Sequence, residues 1–183
     1  DLYYIDLSKT ELSLGGSAFA QTENKIGITS STIADPAYFK KAFNTVQKLI
    51  NDDQISAGHD ISSGGLITTL LEMCFPNSWA GMSINLSEIK TKDLITLLFN
   101  ENPGIILQSP LALNETLASQ GIHCIKLGST TKDQTISLNH LEYQHTFDVN
   151  RLRDTWYSTS TALDENQTSN GLSKERFKNY KNQ

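Results

Sequence analysis

Positive charge is in short supply in this chain: 15 lysines and arginines stand against 20 aspartates and glutamates over 183 residues, a formal net charge of −5. A phosphate backbone would find no cationic face, so nucleic acid is not expected as a partner. Long apolar runs are absent too, and the start shows no basic stretch followed by an apolar one. Neither a bilayer-crossing helix nor a secretory leader is therefore expected. Cysteine is scarce: Cys74 and Cys124 fall within apolar patterns with no CxxC partner. That argues against a disulfide framework or a thiolate zinc site and for buried thiols in a reducing compartment, the cytoplasm by default. Only four prolines occur, Pro36, Pro76, Pro103 and Pro110, and each falls where an element is expected to begin or end.

What is present centres on Ile55-Ser56-Ala57-Gly58-His59-Asp60-Ile61-Ser62-Ser63-Gly64-Gly65-Leu66. A short apolar run passes through a polar loop into a helical pattern, Leu66 to Phe75. If Ile55 to Ala57 ends a buried strand, His59 and Asp60 emerge at its carboxyl edge, where open α/β sheets place ligands. Ser62 and Ser63 are natural N-caps, and the bare glycines would let a ligand oxygen approach helix-start amides. An oxygen ligand beside an anion-binding helix start suits a magnesium-bearing phosphate chain, with Asp60 on the cation and the amides on phosphate. The plainer reading is that His, Asp, Ser and Gly merely turn and cap the chain here. Glu72, the one charge on the following helix, is read as reaching solvent at an edge, with a site role as the alternative.

Elsewhere strands and helices alternate with short links. Leu2 to Leu7 reads as a strand, Gly15-Gly16 as a close-packing turn before a short helical run, and Asn24 to Thr32 as loop. Asp35-Pro36 opens a helix whose face is Phe39, Ala42, Phe43, Val46, Leu49 and Ile50. Met82 to Leu86 alternates as a half-buried strand. Thr91 caps a helix over Lys92 to Phe99, and Ile105 to Gln108 is a buried strand. Pro110 starts a helix to Ser119, Ile122 to Gly128 is a strand, and Thr135 to Leu138 with Tyr143 to Phe147 form a closing hairpin. The hairpin makes the expected α+β architecture a layered α/β/α sandwich around a mixed sheet. Val149, Leu152, Trp156 and Tyr157 predict a last helix docked by an aromatic stripe, and Asp164 to Gln183 a linker or mobile tail. The chain opens on Asp1 and runs directly into a strand, so it is expected to be an excised piece of something larger.

Four segments, Leu14-Gly15-Gly16-Ser17-Ala18-Phe19-Ala20-Gln21, His59 to Leu66, Glu72-Met73 and Leu98-Phe99-Asn100-Glu101, resemble in order and spacing the long form of phosphoribosylformylglycinamidine synthase. The resemblance covers nearly the whole chain. It is to the last aminoimidazole-ribonucleotide-synthetase-like (PurM-type) C-terminal domain before the glutaminase domain. The resemblance implies a purine-biosynthetic amidotransferase in which ATP activates the amide oxygen of formylglycinamide ribonucleotide and glutamine-derived ammonia displaces the phosphate. It also implies a structural ATP/ADP–Mg site, with Asp60 as a magnesium ligand and Ser62 as a nucleotide contact. The implied partition is a synthetase-type domain over 1–147, an exit helix over 148–163 and a linker over 164–183. N-terminal-type synthetase domains and a glutaminase domain are the implied partners. Ile61 and Ser63 stand where many relatives carry Arg and Asp, and Asn102 and Pro103 where they carry an acid and an apolar residue. Neither cysteine lies at a strand-to-helix elbow, so no glutaminase nucleophile is expected, and the segment alone is expected to be inactive. Two alternatives are another ATP-using synthetase or kinase of the same fold, and a purely structural domain without nucleotide.

Overall fold

A computed structural model describes residues 1–169 and 171–179. Its frame is a seven-stranded sheet ordered β2-β4-β1-β5-β3-β6-β7. The strands are β1 (Leu2–Asp6), β2 (Ala57–Asp60), β3 (Gly81–Asn85), β4 (Gly104–Gln108), β5 (Ile125–Thr131), β6 (Thr135–His140) and β7 (Tyr143–Asp148). Every pairing is antiparallel except β3 with β6. The expected mixed sheet is what forms. β1 lies near its middle, and Leu2 to Ile5 are buried because both faces are covered.

The helices are α1 (Ala18–Thr22), α2 (Pro36–Asn51), α3 (Gly65–Cys74), α4 (Leu94–Phe99), α5 (Leu113–Ser119), α6 (Val149–Gln167) and α7 (Leu172–Asn179). Alternation along β1 sends Leu2 and Tyr4 into a core with Leu66, Leu70 and Leu97 of α3 and α4. Tyr3, Ile5 and Leu7 join Ala42, Val46, Leu113 and Leu117 of α2 and α5 on the opposite face. The period of two on a strand thus sorts one peptide into two cores.

Several expectations change in detail. Asp35 caps α2 as expected, accepting from Tyr38 N at 2.9 Å, with Pro36 in the first turn. Phe43 and Ile50, however, remain 49% and 43% exposed, so the α2 core stripe is narrower than its apolar content suggested. The cap of α4 is Asp93, which accepts from Ile95 N and Thr96 N, rather than Thr91. Thr91 instead accepts from Asp93 N and offers its carbonyl to buried His140. β5 starts at Ile125, because Ile122 and Cys124 are spent on the core before pairing begins. The tail after Asp164 is not structureless: α6 runs to Gln167, and α7 folds back along it. Ser173 Oγ donates to Thr161 O, and Arg176 pairs with Asp164. The tail's last residues, from 180, lie outside the described residues.

The aromatic stripe of α6 docks as expected. Trp156 and Tyr157 rest on Phe75 with ring centroids 5.7 and 6.5 Å apart. Beside them Arg153 is buried, donating to Asn150 Oδ1 at 2.8 Å, Asn77 O at 2.8 Å and Cys74 O at 3.3 Å. Cys74 ends α3, where a positive charge is favoured by the helix dipole, and Asn77 lies in the turn that follows. Cys74 is fully buried, and that burial pushes its thiol up to about 12, against a smaller opposing pull from Arg153. It keeps its proton at neutral pH and is no nucleophile.

Arg153→Ala strips donors from buried carbonyls and leaves a void, so it should cost about 3 kcal/mol of stability. Urea unfolding checks this; a loss within about 0.5 kcal/mol, as for an ordinary surface change, would remove Arg153 from that role.

Candidate functional site

The loop that joins β2 to α3 lies at one corner of the sheet. β2 is an edge strand, paired only with β4 and largely exposed, and His59 and Asp60 are its last two residues, not residues beyond a buried strand at Ile55–Ala57. Asp60 does stand at the strand's carboxyl end. Its main chain is pinned: Thr69 Oγ1 donates to Asp60 O at 3.2 Å and Ile61 N donates to Gly104 O at 2.8 Å. Its carboxylate is 77% exposed; its ion-pair neighbour is His59, whose Nδ1 lies 3.6 Å from Asp60 Oδ1, and no lysine or arginine pairs with it among the described residues. A shallow groove of about 410 Å³ runs beside it, lined by Ile55, Gly58, His59, Asp60, Ile105 and Leu107. A larger hollow of about 640 Å³, near Tyr4, Asp6 and His123, contains neither Asp60 nor Ser62.

His59 bridges the loop and the helix. Its Nδ1 lies 2.7 Å from Asp60 O and its Nε2 3.3 Å from Glu72 Oε2. Glu72 is thus neither a lone solvent-seeking charge nor free. It sits two turns along α3 and holds the ring of the residue that precedes Asp60.

The helix start differs most from expectation. Ser62 and Ser63 are exposed and neither side chain caps α3. The N-cap is Gly64 at φ +91°, in the left-handed region where serine would be strained, and Ser62 contributes only its carbonyl, accepting from Gly65 N. Gly65 also has positive φ, and a Cβ there would lie 2.6–2.7 Å from Asn100 O, Leu98 O and Phe99 C. That close approach brings the end of α4 against the start of α3. Glu101, next in the chain, reaches across the gap. Its Oε1 accepts from Gly64 N at 2.8 Å and from Ala18 N, at the start of α1, also at 2.8 Å. The Gly64 amide that sequence reasoning left open for an anion is therefore taken by the protein's own carboxylate.

The Gly15-Gly16 turn packs as expected. Gly15 bridges Ser30, and a Cβ on it would run into Thr29 O. Phe19 of α1 stacks on Phe99 of α4 at 4.7 Å, which completes the contact that Glu101 begins. Glu101 is the site residue that sequence reasoning did not single out. Nothing periodic links it to partners 37 and 83 residues away.

The donor chemistry suits a hard cation only in part. Asp60 offers an exposed carboxylate, the ligand magnesium prefers. Among the described residues there is no group of three or more His, Cys, Asp or Glu able to hold a metal, so this chain could supply one ligand and not a whole shell. No helix among the described residues is long and apolar enough to cross a membrane.

Comparison with known proteins agrees with the fold and the loop order. The family model "AIR synthase related protein, C-terminal domain" matches residues 4–140. The chain is similar to a probable phosphoribosylformylglycinamidine synthase, chloroplastic/mitochondrial, of Arabidopsis thaliana, with 35% identity over 91% of the chain and 12% of that protein. It is also similar to the phosphoribosylformylglycinamidine synthase of Homo sapiens, with 32% identity over 91% of the chain and 13% of that protein. It thus spans about an eighth of each relative's length. Among solved structures, T. maritima PurL complexed with FGAR superposes at a TM-score of 0.65 with 13% identity, over 83% of this chain and 27% of that one. The same protein complexed with ATP superposes at 0.60 with 11% identity, over 83% and 25%. At such identities the superposition shows the fold alone. Taken with the match over residues 4–140, the mixed sheet and its glycine-bearing loops make this chain a member of the AIR synthase related protein, C-terminal domain family.

Proposed function

We propose that the chain is a segment of a phosphoribosylformylglycinamidine synthase, the purine-biosynthetic ligase that converts formylglycinamide ribonucleotide to its amidine with ATP and glutamine. The observation that carries this is identity of 35% and 32%, across 91% of the chain, to two relatives bearing that name. Within the enzyme this domain helps close a magnesium–nucleotide site. Asp60 supplies one cation ligand and Ser62 one nucleotide contact; the remaining ligands come from an N-terminal-type synthetase domain of the same polypeptide. The exposed carboxylate of Asp60, with only the His59 ring beside it and no lysine or arginine paired to it among the described residues, on a pinned main chain, supports its part. Exposure of Ser62 at the loop's crest supports the other.

When bound, magnesium would screen the phosphate charge. What this chain does is hold the Asp60 backbone with Thr69 and Gly104, steer the neighbouring ring with Glu72, and fix the loop's depth through Glu101. Residues 1–147 form the synthetase-type unit and α6 leads out of it toward a glutaminase domain. Buried, unpaired Cys74 and Cys124 support residence in a reducing compartment such as the cytoplasm.

Asp60→Ala in the full-length synthase should weaken retention of ADP with magnesium by about tenfold or more, read by isothermal titration. Unchanged retention would take Asp60 out of the site. The 183-residue segment by itself should show no ATP- and glutamine-dependent turnover, and measurable turnover would overturn the division of labour proposed here.

A further inference from the structure

A polyphosphate approaching the start of α3 meets a carboxylate. Glu101 Oε1 already accepts from Gly64 N and Ala18 N, each at 2.8 Å. The positive pole of a helix amounts to about half an elementary charge, so one carboxylate more than neutralises it. The surrounding segments add no lysine or arginine to offset it. The three segments that meet here, Leu14 to Gln21, His59 to Cys74 and Leu98 to Gly104, contain Asp60, Glu72 and Glu101 and no lysine or arginine. Their one histidine, His59, is engaged with Glu72, with the Asp60 carbonyl and, at 3.6 Å, with the Asp60 carboxylate, so it sits between two acids and does not face the Gly64 amide. A corner with this charge repels bare phosphate, although its loop has the glycines of a phosphate cradle.

From this geometry we infer that Glu101 makes nucleotide capture at this corner conditional on a divalent cation. By filling the helix pole it leaves the cation on Asp60 as the means by which this chain attracts phosphate, and so it selects the metal complex of a nucleoside diphosphate or triphosphate over the free anion. The inference rests on the magnesium–nucleotide reading of Asp60. Glu101 acts here as a specificity determinant through charge. Its second role, as the tie between two loops, needs only an acceptor oxygen, which glutamine retains.

The test is titration of ADP, with magnesium and then with chelator, into nucleotide-stripped full-length synthase. In the parent enzyme chelation should weaken ADP by about a hundredfold or more; in Glu101→Gln the same treatment should weaken it at least about tenfold less, because metal-free ADP now binds better. Equal magnesium dependence in the two proteins overturns the inference. Asp60→Ala separates this failure from failure of the underlying reading. If that variant binds magnesium–ADP as the parent does, the site itself is misassigned, whatever Glu101→Gln shows. Should Glu101→Gln not fold, adenosine decides the matter in the parent enzyme. Lacking phosphates, it should bind equally with and without metal, and a loss as large as that of ADP would mean that the cation orders the loop rather than screening charge.

Discussion

One helix is held at both poles by opposite charges, and the rest of the corner depends on it. Glu101 fills the amino end of α3 and Arg153 covers the Cys74 carbonyl at its carboxyl end and the Asn77 carbonyl of the turn beyond, each opposite in sign to the pole it faces. The two side chains come from opposite parts of the chain, one from the loop after α4 and one from α6. α3 is otherwise a poor candidate for an isolated helix: ten residues, two of them β-branched threonines, and a glycine at its first position. Its stability comes from burial of Leu66, Ile67 and Leu70 against the sheet and from these two electrostatic ends. The loop before it inherits that rigidity, which lets Asp60 be exposed in its side chain and immobile in its backbone.

The double clamp also explains why the glycines sit where they do. Gly65 lets the end of α4 come within contact distance of the helix start, and only then can Glu101 span the gap. Phe19 and Phe99 close the same junction from the apolar side. Three short segments distant in sequence thereby meet at one junction. A binding loop supported in this way costs little entropy to order when a ligand arrives.

Much of the architecture was legible in the sequence because it depends on local period. The amphipathic stretch after Asp35-Pro36, the alternation at Met82 to Leu86 and the closing hairpin all appear where the pattern placed them. What was not legible depends on partners far along the chain. Ser62 looked like a cap because serine caps helices, but the positive φ of Gly64 moved the helix start and Glu101 took the donor. Phe43 and Ile50 fit the helical stripe of α2, yet both stay partly exposed, Phe43 against the ring of Phe39 and Ile50 at the groove beside β2. The tail after Asp164 has little apolar content, and what orders it is an antiparallel helix pair with an Arg176–Asp164 ion pair, which composition does not reveal. Of the candidate site, the position of Asp60 at a strand end before a glycine-bearing loop could be read from the residues; the contacts of Glu101 with Gly64 and Ala18 could not.

β1 lies inside the sheet although it precedes both of its partner strands in the chain. Leu2 pairs with Gln108 on one side and with Gly128 on the other. Neither neighbour exists when β1 leaves the ribosome, and a chain of high contact order waits long for its partners. Until β4 and β5 have followed it out, Leu2, Tyr3, Tyr4 and Ile5 form an uncovered apolar strand of the kind that invites misassociation. Closure of the sheet around β1 is therefore set by the arrival of β4 and β5.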